Sequence, residues 1–257
     1  MHEILRRLPA DALVLDLGAA SGSFPASATS ATTIRVDRDP GTARNLVQAD
    51  AALLPFRDSS FAAIVSNHSL EHFDDLDNAL REIGRVIRKD GALFVAVPDA
   101  STLTDRIYRW LGRGGGHVNA FRSASELAQK IEQATALKHV ATRTLCSSLS
   151  FLNRETAPHP LPRRLLLLGG GFPWTLSLYT WLSRRLDRRF GTRIGVYGWA
   201  LYFGSIAEPI DTGTLPNVCI RCGAGHPASA LVSERSAIPG IRIWRCPDCG
   251  TRNPFSV

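Results

Sequence analysis

Five short apolar segments in the first hundred residues, each ending in a polar residue or a turn, constrain the fold more than any other feature. The segments are ALVLDLG, TIRVDRDP, LVQADAALLPF, FAAIVSNHSL and GALFVAVPD. Apolar runs of this length are typical of strands that are buried on both faces. Between the last two, residues 76–87 have apolar side chains at helical spacing, and we expect Gly91 just past the helix end. Strands alternating with helices predict a parallel sheet in an α/β domain.

The first strand runs into a turn of small residues, GAASG, which we expect to open a helix. The turn contains Gly18, Ala20 and Gly22 and follows Asp16. Small residues let the backbone approach a ligand, and amides at the start of a following helix can donate hydrogen bonds to it. The second strand ends at Asp37, where a carboxylate can accept hydrogen bonds from both hydroxyls of a ribose. These positions predict a nucleotide-type binding edge.

In this order the motifs resemble the class I S-adenosylmethionine-dependent methyltransferases, in the group of small-molecule and quinone methyltransferases. VLDLGAASG is similar to the first motif of that family, VDRDP to its ribose-binding motif, and ADAALLPFRDSSFAAIVSNHSLEHF to its adenine-contact and fourth-strand motifs. REIGRVIRKDGALFVAVP resembles the next motif, and GHVNAFRSASELAQKIEQA the entry to the following helix. The resemblance covers about residues 12–150 and implies a Rossmann-like seven-stranded sheet, whose last strands would be HVATRTLCSS and GVYGWALYFGSIA.

The resemblance implies S-adenosyl-L-methionine as the cofactor and assigns residues to it. The implied cofactor-binding residues are Asp16, Gly18, Ala20, Gly22, Asp37, Arg38, Asp50, Ala51 and Asn67. Each carboxylate alone could be a helix cap, a turn former or a surface charge. Their placement at successive strand ends favours a ligand site, because open parallel sheets bind ligands there. A nicotinamide dehydrogenase is the alternative on this fold, but it expects G-x-G-x-x-G, which the turn lacks.

The segment SNHSLEHF follows the fourth strand and contains His68, Glu71 and His72 in an H-x-x-E-H pattern, which resembles one class of zinc peptidases. A peptidase also needs a third ligand and a helical scaffold, whereas residues 66–70 leave a strand. Some quinone O-methyltransferases resemble this segment, with Glu at the position of His68, and hold a divalent ion there. For transfer without a metal, a histidine suits the role of base. The candidates, each of which could instead be structural, are in order His72, His68 and His117.

Absent motifs narrow the methyl acceptor. The fourth strand ends in NHSL, which begins at Asn67, and not in the Asn/Asp-Pro-Pro-aromatic pattern of adenine methylation. This segment also has no cysteine that could attack a pyrimidine ring. The favoured function is therefore methyl transfer to oxygen or nitrogen of a small molecule, including a lipid-like one. An RNA methyltransferase and a non-catalytic binding platform stay open as alternatives.

The stretch from Arg163 to Arg189 has an uncharged run, residues 165–183, between arginine pairs. Its length is close to the roughly 20 residues that span a bilayer. Three consecutive glycines and Pro173 interrupt it, so two short helices in a lid or on a membrane surface fit better. We expect a lid, about residues 150–195, to cover the cofactor and to favour an apolar acceptor. Residues 101–206 carry 15 basic and 5 acidic side chains in a chain of net charge +7, which suits lipid, nucleic acid or phosphorylated substrates.

CIRCG and CPDCG near the end of the chain form two cysteine knuckles, Cys219 with Cys222 and Cys246 with Cys249. This spacing is typical of a structural Zn²⁺ bound by four thiolates and resembles zinc ribbons; disulfides are the alternative. We therefore expect a methyltransferase domain at 1–210 and a zinc ribbon at 212–257. The first residues lack a secretion signal, which predicts a cytoplasmic protein, with attachment to a membrane surface left open. The sequence does not indicate the oligomeric state.

Overall fold

A computed structural model of the chain describes residues 1–19, 22–111, 116–156, 171–235 and 240–255. The first seven strands are β1 Leu13–Leu17, β2 Thr32–Asp37, β3 Leu46–Gln48, β4 Phe61–Asn67, β5 Ile87–Pro98, β6 His139–Cys146 and β7 Val196–Gly204. The α-helices are α1 His2–Leu5, α2 Leu76–Val86, α3 Leu103–Leu111, α4 Ala124–Thr135 and α5 Pro173–Phe190.

The seven strands form one sheet in the order β3-β2-β1-β4-β5-β7-β6. β1 is parallel to both of its neighbours, β2 and β4, and β3 and β5 continue the parallel pairing on either side. This arrangement confirms the predicted Rossmann-like sheet of seven strands. It also brings the carboxyl ends of β1, β2 and β4 to one edge.

Apolar burial explains why the centre of the sheet forms from these segments. Leu17, Ile64 and Val95 lie on three adjacent strands and are fully buried. From α2, Leu80 and Ile83 are fully buried in the same core. Burying one such side chain contributes about 1.5–3 kcal/mol, so the continuous apolar runs favour the two-sided burial that a parallel sheet provides.

Two predictions about helices were wrong, one about a helix end and one about a helix start. α2 ends at Val86, because Ile87 is extended, buried and paired with Phe61, and Gly91 therefore lies within β5. The turn after β1 does not open an α-helix either: within residues 22–31 the structure has only a three-residue 3-10 turn, at 26–28. The segment SGSFPASATSATT explains this, since Pro, Ser and Thr compete poorly for helical backbone.

The chain divides into two compact units. The sheet unit comprises residues 1–99, 117–143 and 199–212, and the ribbon unit comprises 100–116, 144–198 and 213–257. The strands of the ribbon unit's end are β8 Asn217–Val218, β9 Gly225–His226, β10 Glu234–Arg235, β11 Arg242–Arg245 and β12 Arg252–Pro254. They form a two-stranded and a three-stranded antiparallel sheet. The predicted domains at 1–210 and 212–257 stay a prediction.

Within the ribbon unit, the first cysteine knuckle is fastened to the segment before α5. The Ser148 hydroxyl donates to the carbonyl of Cys219 (2.8 Å), and the Asn153 amide donates to the carbonyl of Ile220 (2.9 Å). Ile220 also packs in a small core with Leu152 and with Leu176 of α5. The knuckle and α5 therefore share one hydrophobic core.

Part of the predicted lid at 150–195 lies outside the described residues, namely 157–170. The described part contains a 3-10 turn at Ser150–Leu152 and the 18-residue α5. Among the helices that the structure describes, none combines the length and the apolar character needed to cross a bilayer. The covering of a cofactor by this segment stays a prediction.

Candidate active site

Asp16 is a fully buried carboxylate at the end of β1. Its Oδ2 accepts a hydrogen bond from the Ser23 N–H (2.9 Å) and lies 3.9 Å from the Arg35 Nε. Its Oδ1 has no hydrogen-bond partner among the described residues. Burial raises the pKa of Asp16, and the bonds from Ser23 and the charge of Arg35 oppose that rise. Because an unpaired buried carboxylate oxygen is costly, the turn is suited to a ligand that donates a hydrogen bond.

Gly18 stands where the ends of β1 and β4 meet. Its φ is +68°, and a Cβ there would lie 2.3 Å from the Cβ of Ser69. The Ser69 hydroxyl donates to the carbonyl of Leu17 (2.9 Å) and shares a 2.6 Å hydrogen bond with the Ser66 hydroxyl. Only glycine fits this close approach. Neither serine was predicted as a site residue, although SNHSL contains a Ser-x-x-Ser pair beside a strand end.

Gly22 and Ala20 are the other two predicted residues of this turn. Gly22 has a φ of +112°, and its N–H donates to the carbonyl of Ala19 (2.6 Å). Ala20 lies outside the described residues. The turn therefore needs left-handed backbone at Gly18 and Gly22, as glycine allows.

At the end of β2, Asp37 is half-buried, and its Oδ1 accepts a hydrogen bond from the Asp39 N–H (3.0 Å). Asp37 thus stands at the same sheet edge as Asp16, one strand away. Arg38 is exposed, and its guanidinium forms an ion pair with Asp74 (2.7 Å). The Asp37 carboxylate therefore lies at the predicted edge, whereas the Arg38 guanidinium is paired with Asp74.

The three remaining predicted cofactor residues differ in their surroundings. Asp50 is exposed, and its Oδ1 accepts a hydrogen bond from the Ala52 N–H (2.9 Å), as in an Asx turn. Ala51 is buried in the main core. Asn67 is the last residue of β4 and pairs with Ala96 of β5. Asn67 therefore lies at the same edge as the two buried or half-buried carboxylates.

Asn119 fastens a later loop to the turn after β4. Its side-chain amide donates to the carbonyls of Leu70 (3.0 Å) and Phe73 (2.7 Å). The backbone N–H groups of Val118 and Asn119 both donate to the carbonyl of Glu71 (2.8 and 2.9 Å). Four hydrogen bonds thus bring residues 117–119 against the turn. We call these four hydrogen bonds the Asn119 clamp. His117 is one of the predicted bases, whereas no spacing in the sequence predicts the long-range contacts of Asn119.

The clamp places His117 beside His72. Their ring centroids are 5.0 Å apart and the ring planes cross at 72°. One ligand atom from each of Glu71, His72 and His117 lies within 4.8 Å of the other two. The group can hold a proton or a divalent ion between a buried carboxylate and two imidazoles.

His68 has a different environment from the other two candidate bases. Its φ is +56°, and its Nδ1 lies 3.9 Å from the Glu71 Oε1. Burial, followed by the charges of His117 and His72, lowers the pKa of His68 to about 4. His68 is therefore uncharged at neutral pH and accepts protons weakly. Residues 70–72 form a 3-10 turn, not the α-helix on which a zinc peptidase would carry H-x-x-E-H.

The four cysteines of the ribbon unit converge on one point. The Sγ atoms of Cys219, Cys222, Cys246 and Cys249 all lie within 4.8 Å of one another. The Cys219 and Cys249 sulfurs are 3.6 Å apart, as are those of Cys222 and Cys246. A tetrahedral zinc ion with Zn–S bonds of about 2.3 Å separates its sulfurs by about 3.8 Å. The donor set and the spacing fit a structural zinc ion.

Neighbouring groups act differently on the clustered cysteines: burial raises the pKa of Cys246 to about 11, and the hydrogen bond to Cys219 raises the pKa of Cys222. A hydrogen bond from the Cys222 thiol, opposed by burial and aided by backbone amides, lowers the pKa of Cys219 to about 4. The Asn253 amide also donates to the Cys219 Sγ (3.6 Å). His226 Nε2 lies 3.6 Å from the Cys246 Sγ. Such donors around the sulfurs are typical of metal-thiolate sites, and sequence spacing predicted neither Asn253 nor His226.

Comparison with known proteins finds one matching family and several curated relatives. Residues 15–95 match the family described as a methyltransferase domain. The malonyl-[acyl-carrier protein] O-methyltransferase of Methylococcus capsulatus is 31% identical over 140 residues, which cover 48% of this chain and 51% of that protein. The mitochondrial arginine-hydroxylase NDUFAF5 of Danio rerio is 28% identical over 112 residues, covering 41% and 35%. The chain thus spans about half, or less, of these curated relatives.

A solved structure gives the same fold. A protein of Anabaena variabilis assigned as a methyltransferase of an antibiotic biosynthesis pathway superposes with a TM-score of 0.51 at 15% identity, covering 78% of this chain and 93% of that one. The matched residues include the ends of β1 and β2, where the two carboxylates lie. Residues 15–95 are thus similar in sequence to a methyltransferase domain, and the sheet that contains them has the Rossmann-like methyltransferase fold.

Proposed function

We propose that the protein transfers a methyl group from S-adenosylmethionine to oxygen or nitrogen of a small molecule, a class that includes lipid-like acceptors. The observation that carries the proposal is the turn after β1, where one buried oxygen of Asp16 has no hydrogen-bond partner among the described residues and lies beside the tightly packed Gly18. The cofactor, when bound, supplies a methyl group already activated by a sulfonium. The protein has to bind, orient and, for a hydroxyl acceptor, remove a proton.

Each role has a residue at the sheet edge. Asp37 accepts hydrogen bonds from ribose hydroxyls, and Asp16 accepts one from a donor group of the cofactor. His72 is the proposed base, because the pKa of about 4 makes His68 a poor proton acceptor. His117 lies against His72, and the buried Glu71 carboxylate, which lies close to both rings, stabilises His72 in its protonated form.

Calorimetry and product formation test this proposal together. The Asp37→Ala variant should bind S-adenosylmethionine about 10- to 100-fold more weakly, because a hydrogen bond to a charged group is worth about 1.5–3 kcal/mol. Asp39→Ala, which changes an exposed neighbour, should bind like the unaltered protein. S-Adenosylhomocysteine formation is followed with extracts of apolar metabolites as acceptors. Cofactor binding without turnover on any acceptor would indicate a binding platform, and no binding at all would refute the proposal.

A second candidate is the same transfer assisted by a divalent ion. It is supported by the convergence of Glu71, His72 and His117, whereas the sequence-based form of this hypothesis used His68 in place of His117. An ion held there would polarise the acceptor as a Lewis acid. Equal, metal-dependent losses in Glu71→Gln, His72→Ala and His117→Ala would favour this candidate over simple proton removal.

We also propose that the four cysteines hold one structural Zn²⁺, since four sulfur ligands leave no open position for catalysis. RNA docking through this region is less well supported. Trp244 is fully buried and donates its indole N–H to the carbonyl of Pro254 (3.1 Å), so it offers no stacking surface. Arg245 and Arg252 both lie within ion-pair distance of Glu234.

A further inference from the structure

Helix α5 packs with its polar side inward and its apolar side outward. Its buried residues are Leu176, Thr180, Ser183 and Arg184. Its exposed apolar residues include Trp174 (65% exposed), Leu178 (54%) and Leu182 (45%). These three residues are spaced four apart and form one row on the helix surface. A helix on a globular unit normally buries such a row, so this surface is suited to a partner outside the chain.

The buried Arg184 fixes this orientation. Its guanidinium donates to the carbonyls of Gly195 (2.7 Å), Ser147 (2.7 Å) and Pro216 (3.1 Å). Turning the helix to bury its leucines would break all three charge-assisted hydrogen bonds and leave a buried cation unpaired. The outward display of the apolar row is therefore built into the ribbon unit.

The last two turns of the same face are cationic. Arg185, Arg188 and Arg189 of α5, with Arg242 of β11, line an open cavity of about 570 Å³. None of the ion pairs between described residues includes these four arginines. Asp187, the one acid of the helix, accepts hydrogen bonds from the backbone of residues 194 and 195 instead. Arginines at a helix C-terminus complement its dipole, but that effect does not explain Arg242, which comes from a strand.

We propose that this face of α5, together with the arginine cavity, is a docking site for an anionic membrane surface. Trp174, Leu178 and Leu182 enter the boundary between headgroups and acyl chains, and the arginines bind lipid phosphates. Tryptophan prefers this boundary, and clustered arginines are attracted to anionic lipids. A polynucleotide would use the arginines but leave the exposed leucines unexplained, and a second copy of the chain would bring like charges together. The inference does not depend on the proposed methyl transfer.

Vesicle flotation with the full chain tests the proposal. The protein should bind vesicles of phosphatidylcholine with phosphatidylglycerol, and should bind much less to phosphatidylcholine alone. Arg188→Gln/Arg189→Gln should lower the partition coefficient about 10- to 30-fold. Trp174→Ser/Leu178→Ser should lower it about tenfold or more, because binding scales with inserted apolar area. All four side chains are exposed, so both variants should keep the metal content and thermal unfolding of the unaltered protein.

Matched controls remove the same chemistry elsewhere. Val232→Ser changes a side chain that is 81% exposed, and Arg57→Gln/Arg122→Gln removes two exposed positive charges outside α5; both should bind vesicles normally. The proposal is overturned if no vesicle binding depends on the α5 residues. It is also overturned if the protein does not bind vesicles but binds RNA or inorganic phosphate through these arginines. The same holds if the protein does not bind vesicles but forms a dimer that the Trp174→Ser substitution dissociates.

Discussion

The sheet unit and the ribbon unit build their functional sites in opposite ways. In the sheet unit, a large core fixes the ends of β1, β2 and β4, and that core tolerates a buried carboxylate at Asp16 and left-handed backbone at Gly18 and His68. In the ribbon unit, the core around the knuckles is small and includes two of the four clustered cysteines, Cys219 and Cys246, beside Trp244. The first site is formed by the fold, whereas the second should need its ligand in order to fold.

The largest effect that follows is the loss of metal from the ribbon unit. Cys246→Ser should lower bound zinc from about one per chain to near zero, because structural zinc contributes an apparent 10–16 kcal/mol or so to such sites. Since the first knuckle is hydrogen-bonded to Ser148 and Asn153, faster amide exchange should extend from residues 217–255 to 147–153 and α5. The measurements are elemental analysis and hydrogen exchange.

Cys146→Ser is the matched control, because Cys146 is a free cysteine at the end of β6 and is not one of the four clustered cysteines. It should keep zinc and normal exchange. Stoichiometric zinc in the Cys246→Ser protein would show that the ligand set is wrong, and exchange confined to residues 240–255 would show that the knuckles fold independently of α5.

The next effect lies in the sheet unit and leaves its fold intact. His72→Ala should lower turnover about 10²- to 10⁴-fold while cofactor affinity is kept, because a positioned base contributes that much to proton removal. The rate should recover in part at high pH, where the acceptor ionises without help. A smaller loss is expected for His117→Ala, whose ring only adjoins His72. Equal losses that change with added divalent ion would instead support the metal-assisted candidate.

The two units also differed in how far the sequence predicted them. The strands β1, β2 and β4 and the edge positions of Asp16, Asp37 and Asn67 followed from apolar runs with polar ends, because each run is local and its burial is two-sided. The helix boundary at Val86 was missed, since adjacent Val86 and Ile87 suit a helix end and a strand start equally well. Periodicity shows which residues share a face but not which face is buried.

Long-range contacts account for the rest. The Asn119 clamp and the hydrogen bond from Ser69 to the carbonyl of Leu17 join segments that are far apart in the chain, so no short-range spacing predicts them. In α5, apolar periodicity alone would have predicted a buried Leu178 and Leu182. The hydrogen bonds of Arg184 to three carbonyls reversed that preference. Sequence reasoning was therefore strongest where local pattern and tertiary packing agree, as in β1 and β4.

Gly18→Ala tests whether the sheet edge is as tightly built as its contacts indicate. The added Cβ would lie 2.3 Å from the Ser69 Cβ at a φ of +68°, so the free energy of unfolding should fall by about 2–4 kcal/mol. Gly191→Ala in the ribbon unit is the control: its φ is +64°, but nothing lies within 4 Å of the added Cβ. Its loss should be about 1 kcal/mol, from backbone strain alone. Denaturant unfolding measures both, and equal losses would mean that the Ser69 contact relaxes freely.

The smallest expected effect has the opposite sign. Asp16→Asn should raise the free energy of unfolding by about 0.5–2 kcal/mol, because the amide oxygen can still accept from the Ser23 N–H while the buried charge is removed. The sign follows from the raised pKa of Asp16: the native carboxyl holds its proton to higher pH than the unfolded one, so its ionisation lowers stability as pH rises through the native pKa. Asparagine cannot ionise and so avoids this loss of stability. The stability gained by Asp16→Asn should therefore vanish in acid, where Asp16 is protonated.

Cofactor affinity should fall in the same Asp16→Asn variant, since the Asp16 Oδ1, which has no hydrogen-bond partner in the part of the chain that the structure describes, is the atom offered to the ligand. Asp90→Asn is the control with the opposite electrostatics, because the exposed Asp90 is paired with Arg88, whose hydrogen bond lowers its pKa. That change should give no gain in stability and no loss of cofactor. Thermal unfolding across the pH range and calorimetry separate the cases. A less stable Asp16→Asn protein with unchanged cofactor affinity would make Asp16 an ordinary structural carboxylate, held by Ser23 and Arg35, and would remove the main support for a pre-formed site in the sheet unit.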